Sequence, residues 1–520
     1  MENGGPNTEI RNWKFEIRNW SPTLVAFLPM LLVILVRLAG PEDLDHNDQA
    51  KQALYVLDIR TEGNWVLPLE QGVAMATKPP LYAWLAALAS APADATSAFA
   101  CRLPSALAAL GVVALLYWIG SERWGPAAGS AAAWAFAAAH TAVKLSIHIR
   151  PDMVLTLCTT ASLFALHRLD PIRLPDGRGA EAPPTSGRLS ALFWAGIAFG
   201  ILAKGPPAVV IAGAGLAALA FSRPWRGIVA GLFRSHGVLF MLLPAVWFLL
   251  AYMVGGNAYL RTVVLPETVE RVLGTGVSGD RGHFPGYLVG DFLVKTAPWS
   301  IFTVMGLIEI GWSRATRGVA PASLPTGSND SRAGMILAAA WFLPGLLIFN
   351  LSRGQREDYL LPFLPGAALL AAREIVRRLP GAASPAWRRY ALPGAAAGIL
   401  CLHLAAGVWM STAARSGRGE DLEAFVRDVE RARAPGDEIV FCGTLGNGVR
   451  FRLGVNRPSV PPDRVPSAPG PRGGRVWIVA AEDGAAELAA KRPGRFVERV
   501  RRPWGRDGRR ELVLLEAAPP

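Results

Sequence analysis

Charge is scarce in this sequence. Only 18% of its 520 residues are charged, against roughly 25% in soluble globular chains, and 7 of its 53 basic residues are lysine. Cysteine is scarcer still, with four in all. Cys101, Cys158 and Cys401 lie in or beside apolar runs, so a disulfide framework is excluded and packing is the expected role of each, Cys442 included. There is no C-x-x-C pair, and the seven histidines lack the spacing of a structural metal site. What is abundant is apolar: 51% hydrophobic residues and a mean hydropathy of +0.28 exclude a disordered chain and an ordinary soluble enzyme. The class that remains is a polytopic membrane protein. A net charge of +13 would suit nucleic acid, but arginine loaded into cytoplasmic loops produces the same excess, so its distribution decides.

Stretches long enough to span a bilayer, about 20 residues each, fall at 22–40, 103–120, 125–142, 153–168, 189–203, 205–221, 237–254, 293–312, 334–350, 359–376 and 390–411, about eleven helices in all. The apolar segment Pro79–Ser90 is too short and reads as an interfacial helix. Arginine marks alternate loops: Arg11 and Arg18, then Arg173, Arg178 and Arg188, then Arg223, Arg226 and Arg234, then Arg314, Arg317 and Arg332, then Arg373 to Arg389. Those loops are expected in the cytoplasm, which puts 41–78, 143–152, 255–292 and 351–358 on the outer face, with nucleic acid excluded as a partner. The first run has a basic flank but no small-x-small cleavage site and reads as an uncleaved signal anchor. Before it, Glu9-Ile-Arg-Asn-Trp13 recurs as Glu16-Ile-Arg-Asn-Trp20, and the expectation is a start site assigned too early. The expected organisation is therefore a cytoplasmic segment 1–21, a membrane domain 22–411 with catalytic outward loops 41–102 and 255–292, and an extracytoplasmic α/β domain 412–520.

In that last region soluble patterning begins. Leu422, Phe425, Val426 and Val429 mark an amphipathic helix, and Glu438–Cys442, Val476–Ala481, Phe496–Val500 and Glu511–Leu515 read as short strands. Gly443-x-x-Gly446-x-Gly448 lacks the spacing of a dinucleotide loop and is read as a turn.

A transporter would place ionisable groups at the bilayer midplane. Here the expected spans are nearly free of acids, and unusual polar residues gather in outward loops, which favours chemistry at the outer surface. The first outward loop holds Asp48 and Lys51 at i, i+3, on one face of a helix. A carboxylate beside an ammonium stays ionised, and the ammonium remains available to an anion. Lys51, Lys78 and Lys204 all fall at outward positions, either by chance or because a compact ammonium suits those places better than a planar guanidinium.

Three motifs in order, Asp48-Gln-Ala-Lys51, Gly63-Asn-Trp65-Val-Leu-Pro68 and Thr77-Lys78-Pro79-Pro80, resemble those of a membrane superfamily of lipid-linked-sugar glycosyltransferases with the GT-C fold. That superfamily contains bacterial lipid A aminoarabinose transferases and protein O-mannosyltransferases. Arg150-Pro-Asp152-Met, Ala203-Lys204-Gly-Pro206, Arg271 with Gly282-His283-Phe-Pro285, and Ser352-Arg353-Gly-Gln-Arg356-Glu-Asp-Tyr359-Leu-Leu-Pro362 extend the likeness over most of 22–376. In the last of these Arg356 is offset by one from the family's lysine.

The resemblance implies an all-α GT-C membrane domain in the inner (cytoplasmic) membrane, its active site on the extracytoplasmic face. It further implies a polyprenyl-phosphate sugar donor and a lipid, glycan or protein acceptor, lipid A being one candidate. Asp48 is then the catalytic base, Asp152 a second catalytic residue, and Lys51, Lys78, Lys204 and Arg271 the cations that hold the donor phosphate. His283, Arg353 and Tyr359 are candidate substrate or metal contacts. One base opposite a departing phosphate predicts inversion at the anomeric carbon. Two positions depart from the family: Gln49 follows the catalytic Asp where an acid is usual, and Thr77 replaces the Glu before Lys78. In the aminoarabinose transferases that Glu and a His resembling His283 hold a divalent metal, so a metal cofactor stays open, with Thr77 arguing against a tight site. The competing readings are a flippase or transporter for lipid-linked sugars, and an assembly protein that keeps the fold without the activity.

Overall fold

The computed structural model describes residues 20–38, 44, 47–93, 95–170, 187–267, 286–315, 327–352, 355–378, 419–466, 474–504 and 510–517, with five isolated positions between 394 and 405. Arg271, His283 and Arg353 lie outside the described residues, as does the expected run 390–411 apart from those five positions.

Helices form where the apolar runs stand and break where glycine and proline punctuate them. α1 (Trp20–Leu38) is followed by α2 (Asn47–Glu62), a short hairpin of β1 (Leu69–Glu70) and β2 (Ala74–Met75), and α3 (Leu81–Ala89). At nine residues α3 is half of a span, as its length in the sequence implies. α4 (Ala98–Trp124) ends at Gly125, whose φ of 90° turns the chain into α5 (Pro126–Ala137), with Pro126 in the first turn. The expected span 125–142 is two helices, because Ala139 is extended (φ −69°, ψ 128°) and α6 (His140–Leu145) starts afresh. An alanine-rich run carries no local signal for that break. α7 (Asp152–Arg168) and α8 (Gly187–Lys204) follow, and Gly205 at φ 82° leads into α9 (Pro207–Ala220). α10 (Arg223–Arg234), absent from the sequence expectation, is amphipathic and buries Trp225, Ile228 and Leu232. α11 (Leu242–Tyr259), entered through a 3-10 turn at His236–Met241 and extended by a π-helical turn at Leu260–Val264, runs beyond the expected 237–254. The expected straight span 293–312 is instead a helix Tyr287–Lys295 and a helix Trp299–Ala315 bent by 119°, where Pro298 removes a backbone donor. Helices Gly327–Leu351 and Leu364–Arg378 complete the bundle, the second led by a 3-10 turn at Glu357–Phe363.

Among the described residues five helices are long and apolar enough to cross a membrane, or six with the bent pair as one span. Small residues let them approach: a Cβ on Gly129 would sit 2.1 Å from Ser121 Oγ, and one on Gly366 2.6 Å from the Ala338 carbonyl oxygen. The ends of the bundle divide by chemistry. Arg123 meets Asp170 (2.5 Å) and Arg373 meets Glu309 (2.7 Å) at one end. At the other end lie α2, the hairpin and α3, with the start of α7 and the end of α8.

The C-terminal region is a separate sheet of order β4-β3-β5-β7-β6. β3 (Glu438–Cys442) runs parallel to β4 (Ser459–Val460) and β5 (Val476–Ala481), and β7 (Arg510–Ala517) lies antiparallel between β5 and β6 (Phe496–Trp504). The helix Gly419–Ala432 packs Phe425 and Val429 against Ile439, Phe441 and Leu514, and the helix Glu482–Lys491 packs Leu488 on the opposite face. All four expected strands and the expected helix are present; two-residue β4 is too short to read from a pattern. Gly443 (φ 80°) turns the chain toward a helix Asn447–Arg452, as a turn and not a nucleotide loop. That helix docks on the membrane domain, with Gly448 so close that a Cβ would lie 3.1 Å from the Leu44 carbonyl oxygen. The four cysteines are free; Cys101 and Cys442 are buried as expected, whereas Cys401 is exposed.

Candidate active site

Residues far apart in sequence converge above the membrane helices. Asp48 stands in the first turn of α2, its side chain 43% exposed, with Oδ2 3.3 Å from Arg356 and 4.0 Å from Arg150. Lys51 follows one turn later and pairs with Glu70 of β1 at 2.9 Å. Burial alone would lower the Lys51 pKa, but Tyr55 and Glu70 outweigh it and hold the amine above its ordinary value. The pair expected on one helical face is therefore there, with the carboxylate open to the pocket.

Asp152 opens α7 and is 1% exposed. Its Oδ1 meets Lys204 at 2.5 Å and its Oδ2 accepts from Arg150 Nε at 3.1 Å. Lys204, held by the turn at Gly205, also lies 5.0 Å from the centre of the Tyr359 ring, a cation–π distance. Lys78 pairs with Glu267, beyond the end of α11, at 2.5 Å.

The loop that carries Arg150 is tied down by its backbone. Ser105 donates to the His148 carbonyl at 2.6 Å, Tyr82 donates to the same oxygen at 3.2 Å, and the Ile149 N–H donates to Gln49 at 3.1 Å. Gln49, read in the sequence as a departure beside the base, is buried and holds this loop. His148 is pushed well below its ordinary pKa by burial and by Arg37, Arg150 and Lys144, so it is neutral. Arg150 itself donates to Asp358 at 2.6 Å, and beyond Asp358 the network runs through Lys144 (2.9 Å) to Glu357 and Lys295.

Two cavities meet at this cluster. A polar one of about 120 Å³ is lined by Asp48, Lys51, Gln52, Arg150, Asp152 and Arg356, together with Thr77, Lys78, Lys204, Glu267 and Tyr359. Those last five residues also line an apolar cavity of about 380 Å³, walled by Val210, Phe248, Tyr259, Val263, Ile348 and Leu351. Of the expected site residues, Asp48, Lys51, Lys78, Asp152, Lys204 and Tyr359 are thus brought together. Arg150, Glu267, Arg356 and Asp358 were not among them, although Arg150 and Arg356 stand inside motifs already singled out. Among the described residues no three His, Cys, Asp or Glu side chains converge as a metal-ligand set, and Thr77 lines the pocket where a carboxylate ligand was in question.

The described helices are those of a multi-pass membrane protein. ArnT from Cupriavidus metallidurans, solved bound to undecaprenyl phosphate, superposes with a TM-score of 0.70 at 16% identity over 95% of this chain and 98% of that one. The Archaeoglobus fulgidus oligosaccharyltransferase matches more loosely, with a TM-score of 0.52 at 12% identity over 89% of this chain and 70% of that one. The family described as dolichyl-phosphate-mannose-protein mannosyltransferase matches residues 77–251. An undecaprenyl phosphate-alpha-4-amino-4-deoxy-L-arabinose arabinosyl transferase of Pseudomonas aeruginosa is 27% identical over 328 residues, 61% of this chain and 53% of the relative. The match therefore spans about half the length of that relative. The likeness is thus one of fold and of part of the sequence.

Proposed function

We propose that this protein is an inverting glycosyltransferase that moves a sugar from a polyprenyl-phosphate donor to a nucleophile on the extracytoplasmic side of the cytoplasmic membrane. The observation that carries the reading is the junction of the two cavities: Lys78, Lys204 and Tyr359 line both. A substrate with an apolar tail and an anionic head fits only such a place, its phosphate at the cations and its isoprenes between α9, α11 and the helix Gly327–Leu351. The names of the relatives, undecaprenyl phosphate among them, support the same donor class.

In the reaction the acceptor oxygen attacks the anomeric carbon and the bond from that carbon to the phosphate oxygen breaks. Polyprenyl phosphate leaves with the electron pair, and the acceptor proton passes to Asp48. Lys78 and Lys204 stabilise the charge that grows on the phosphate, and Arg150 keeps Asp152 and Lys204 in place. Asp48 is open on the polar side, where an acceptor arrives, so attack comes from the face opposite the phosphate and the configuration inverts. The acceptor is a glycolipid such as lipid A, a glycan or a protein.

Purified protein supplied with polyprenyl-phosphate sugar tests this. Transfer by the wild type and a loss on the order of 10²–10⁴ in rate for Asp48→Asn are expected, the usual contribution of a general base. Full activity in Asp48→Asn would sink the base assignment. Movement of the lipid across a bilayer without transfer would establish the flippase instead.

A further inference from the structure

We infer that the C-terminal sheet domain is a working part of the pocket, with Asn447 as a positioning residue that holds Lys51 through Glu70. This rests on the reading above.

The path is short and continuous. Lys51 Nζ lies 2.9 Å from Glu70 Oε2. The other carboxylate oxygen, Oε1, accepts from Asn447 Nδ2 at 2.7 Å. Asn447 in turn accepts from Gln71 Nε2 at 2.7 Å. Glu70 sits in a strand of two residues, too short to fix a side chain by itself. The domain supplies what the strand lacks, a buried amide 6% exposed at the start of a helix. A neutral amide suits this purpose: it donates to one carboxylate oxygen and leaves the other on the ammonium. The elevated pKa of Lys51, argued above from Tyr55 and Glu70, fits this chain of contacts.

A second contact anchors the same hairpin without touching Glu70. Asn456 donates to Asp58 at 2.9 Å and to the Leu69 carbonyl at 2.9 Å, and Asp58 also accepts from the Leu69 N–H at 2.8 Å. Gly72 passes so near that a Cβ would stand 3.1 Å from the Asn456 carbonyl oxygen. Docking therefore has its own anchor. The Asn447 contact is the one that reaches the pocket, because Lys51 lines it.

The experiment pairs kinetics with amine labelling of the full-length protein in detergent. Asn447→Ala and Glu70→Gln are each expected to raise the donor KM roughly tenfold, the loss of one hydrogen bond to a charged group, with kcat falling less. In a Lys51→Ala background neither is expected to add a further loss, since coupled residues are non-additive. Competitive labelling read by mass spectrometry is expected to show Lys51 modified several-fold faster in both variants, with exposed Lys491 as the internal standard. Glu70→Gln keeps the domain contact, so the test stands even where Asn447→Ala fails to fold. Losses that add to Lys51→Ala, or Lys51 labelling unchanged in both variants, overturn the inference. A wild type that transfers no sugar overturns the glycosyltransferase reading instead, and the labelling result still decides whether Asn447 governs Lys51.

Discussion

Arg150 has three carboxylates within reach, Asp358 at 2.6 Å, Asp152 at 3.1 Å and Asp48 at 4.0 Å. Burial would weaken its hold on a proton, but Asp152, Asp358 and Asp48 outweigh it and raise its pKa. Removing one partner of a nearly buried pair costs about 3–5 kcal/mol. Asp358→Ala is therefore expected to lower the unfolding temperature in detergent and to slow transfer, because Arg150 is freed to close on Asp48. Asp358→Asn, which keeps an acceptor, should lose less of both. In the tail, Asp437 accepts from the Ala434 and Arg475 N–H groups and from Trp477. Burial pushes its pKa up, yet these donors bring it below the ordinary value. The sign follows: the stabilisation is complete above the unfolded value near pH ~4 and is lost as pH falls through the lower native value. Limited proteolysis between neutral and acid pH should find the tail loosening in the wild type, with Asp437→Asn already loosened at neutral pH. Much of the site was legible because its residues sit in motifs: Asp48 and Lys51 share a face, and Lys78, Asp152 and Lys204 stand beside proline or glycine turns. Their partners were not. Glu70, Glu267 and Asp358 are ordinary acids until packing brings them up, Asp358 from 208 positions away.

At the scale of elements, most of the helices could be read because an apolar run of the right length has few other uses in such a chain. What could not be read were breaks without a local cause. The interruption at Ala139 lies in an alanine-rich stretch, and α10 hides because only one of its faces is apolar. Close contact between helices was equally silent. Gly129→Val would drive side-chain atoms into Ser121 and the Tyr117 carbonyl, from which even a Cβ is 2.1 and 2.4 Å away. A large loss of detergent-stable protein is expected, measured by size-exclusion chromatography. Gly213→Ala, with nothing within 4 Å of a Cβ, should behave as the wild type.

For the whole molecule, the distribution of basic residues separates two tasks. Lys51, Lys78, Lys144, Lys204 and Lys295 make ion pairs within one continuous end of the bundle, while Arg123, Arg373, Arg377 and Arg378 serve the other. Arginine there is consistent with the cytoplasmic assignment. The two cavities that meet at Lys78 and Lys204 have different surroundings: Leu351, which lines the apolar one, is exposed, whereas Asp48 lines only the polar one. Substrates that enter from different directions also leave by different doors. On the proposed reading, spent polyprenyl phosphate leaves sideways into the bilayer and the glycosylated acceptor leaves upward, so neither product blocks the exit of the other. Added polyprenyl phosphate should then inhibit competitively against the donor and non-competitively against the acceptor, a pattern that steady-state kinetics with both substrates varied can read directly.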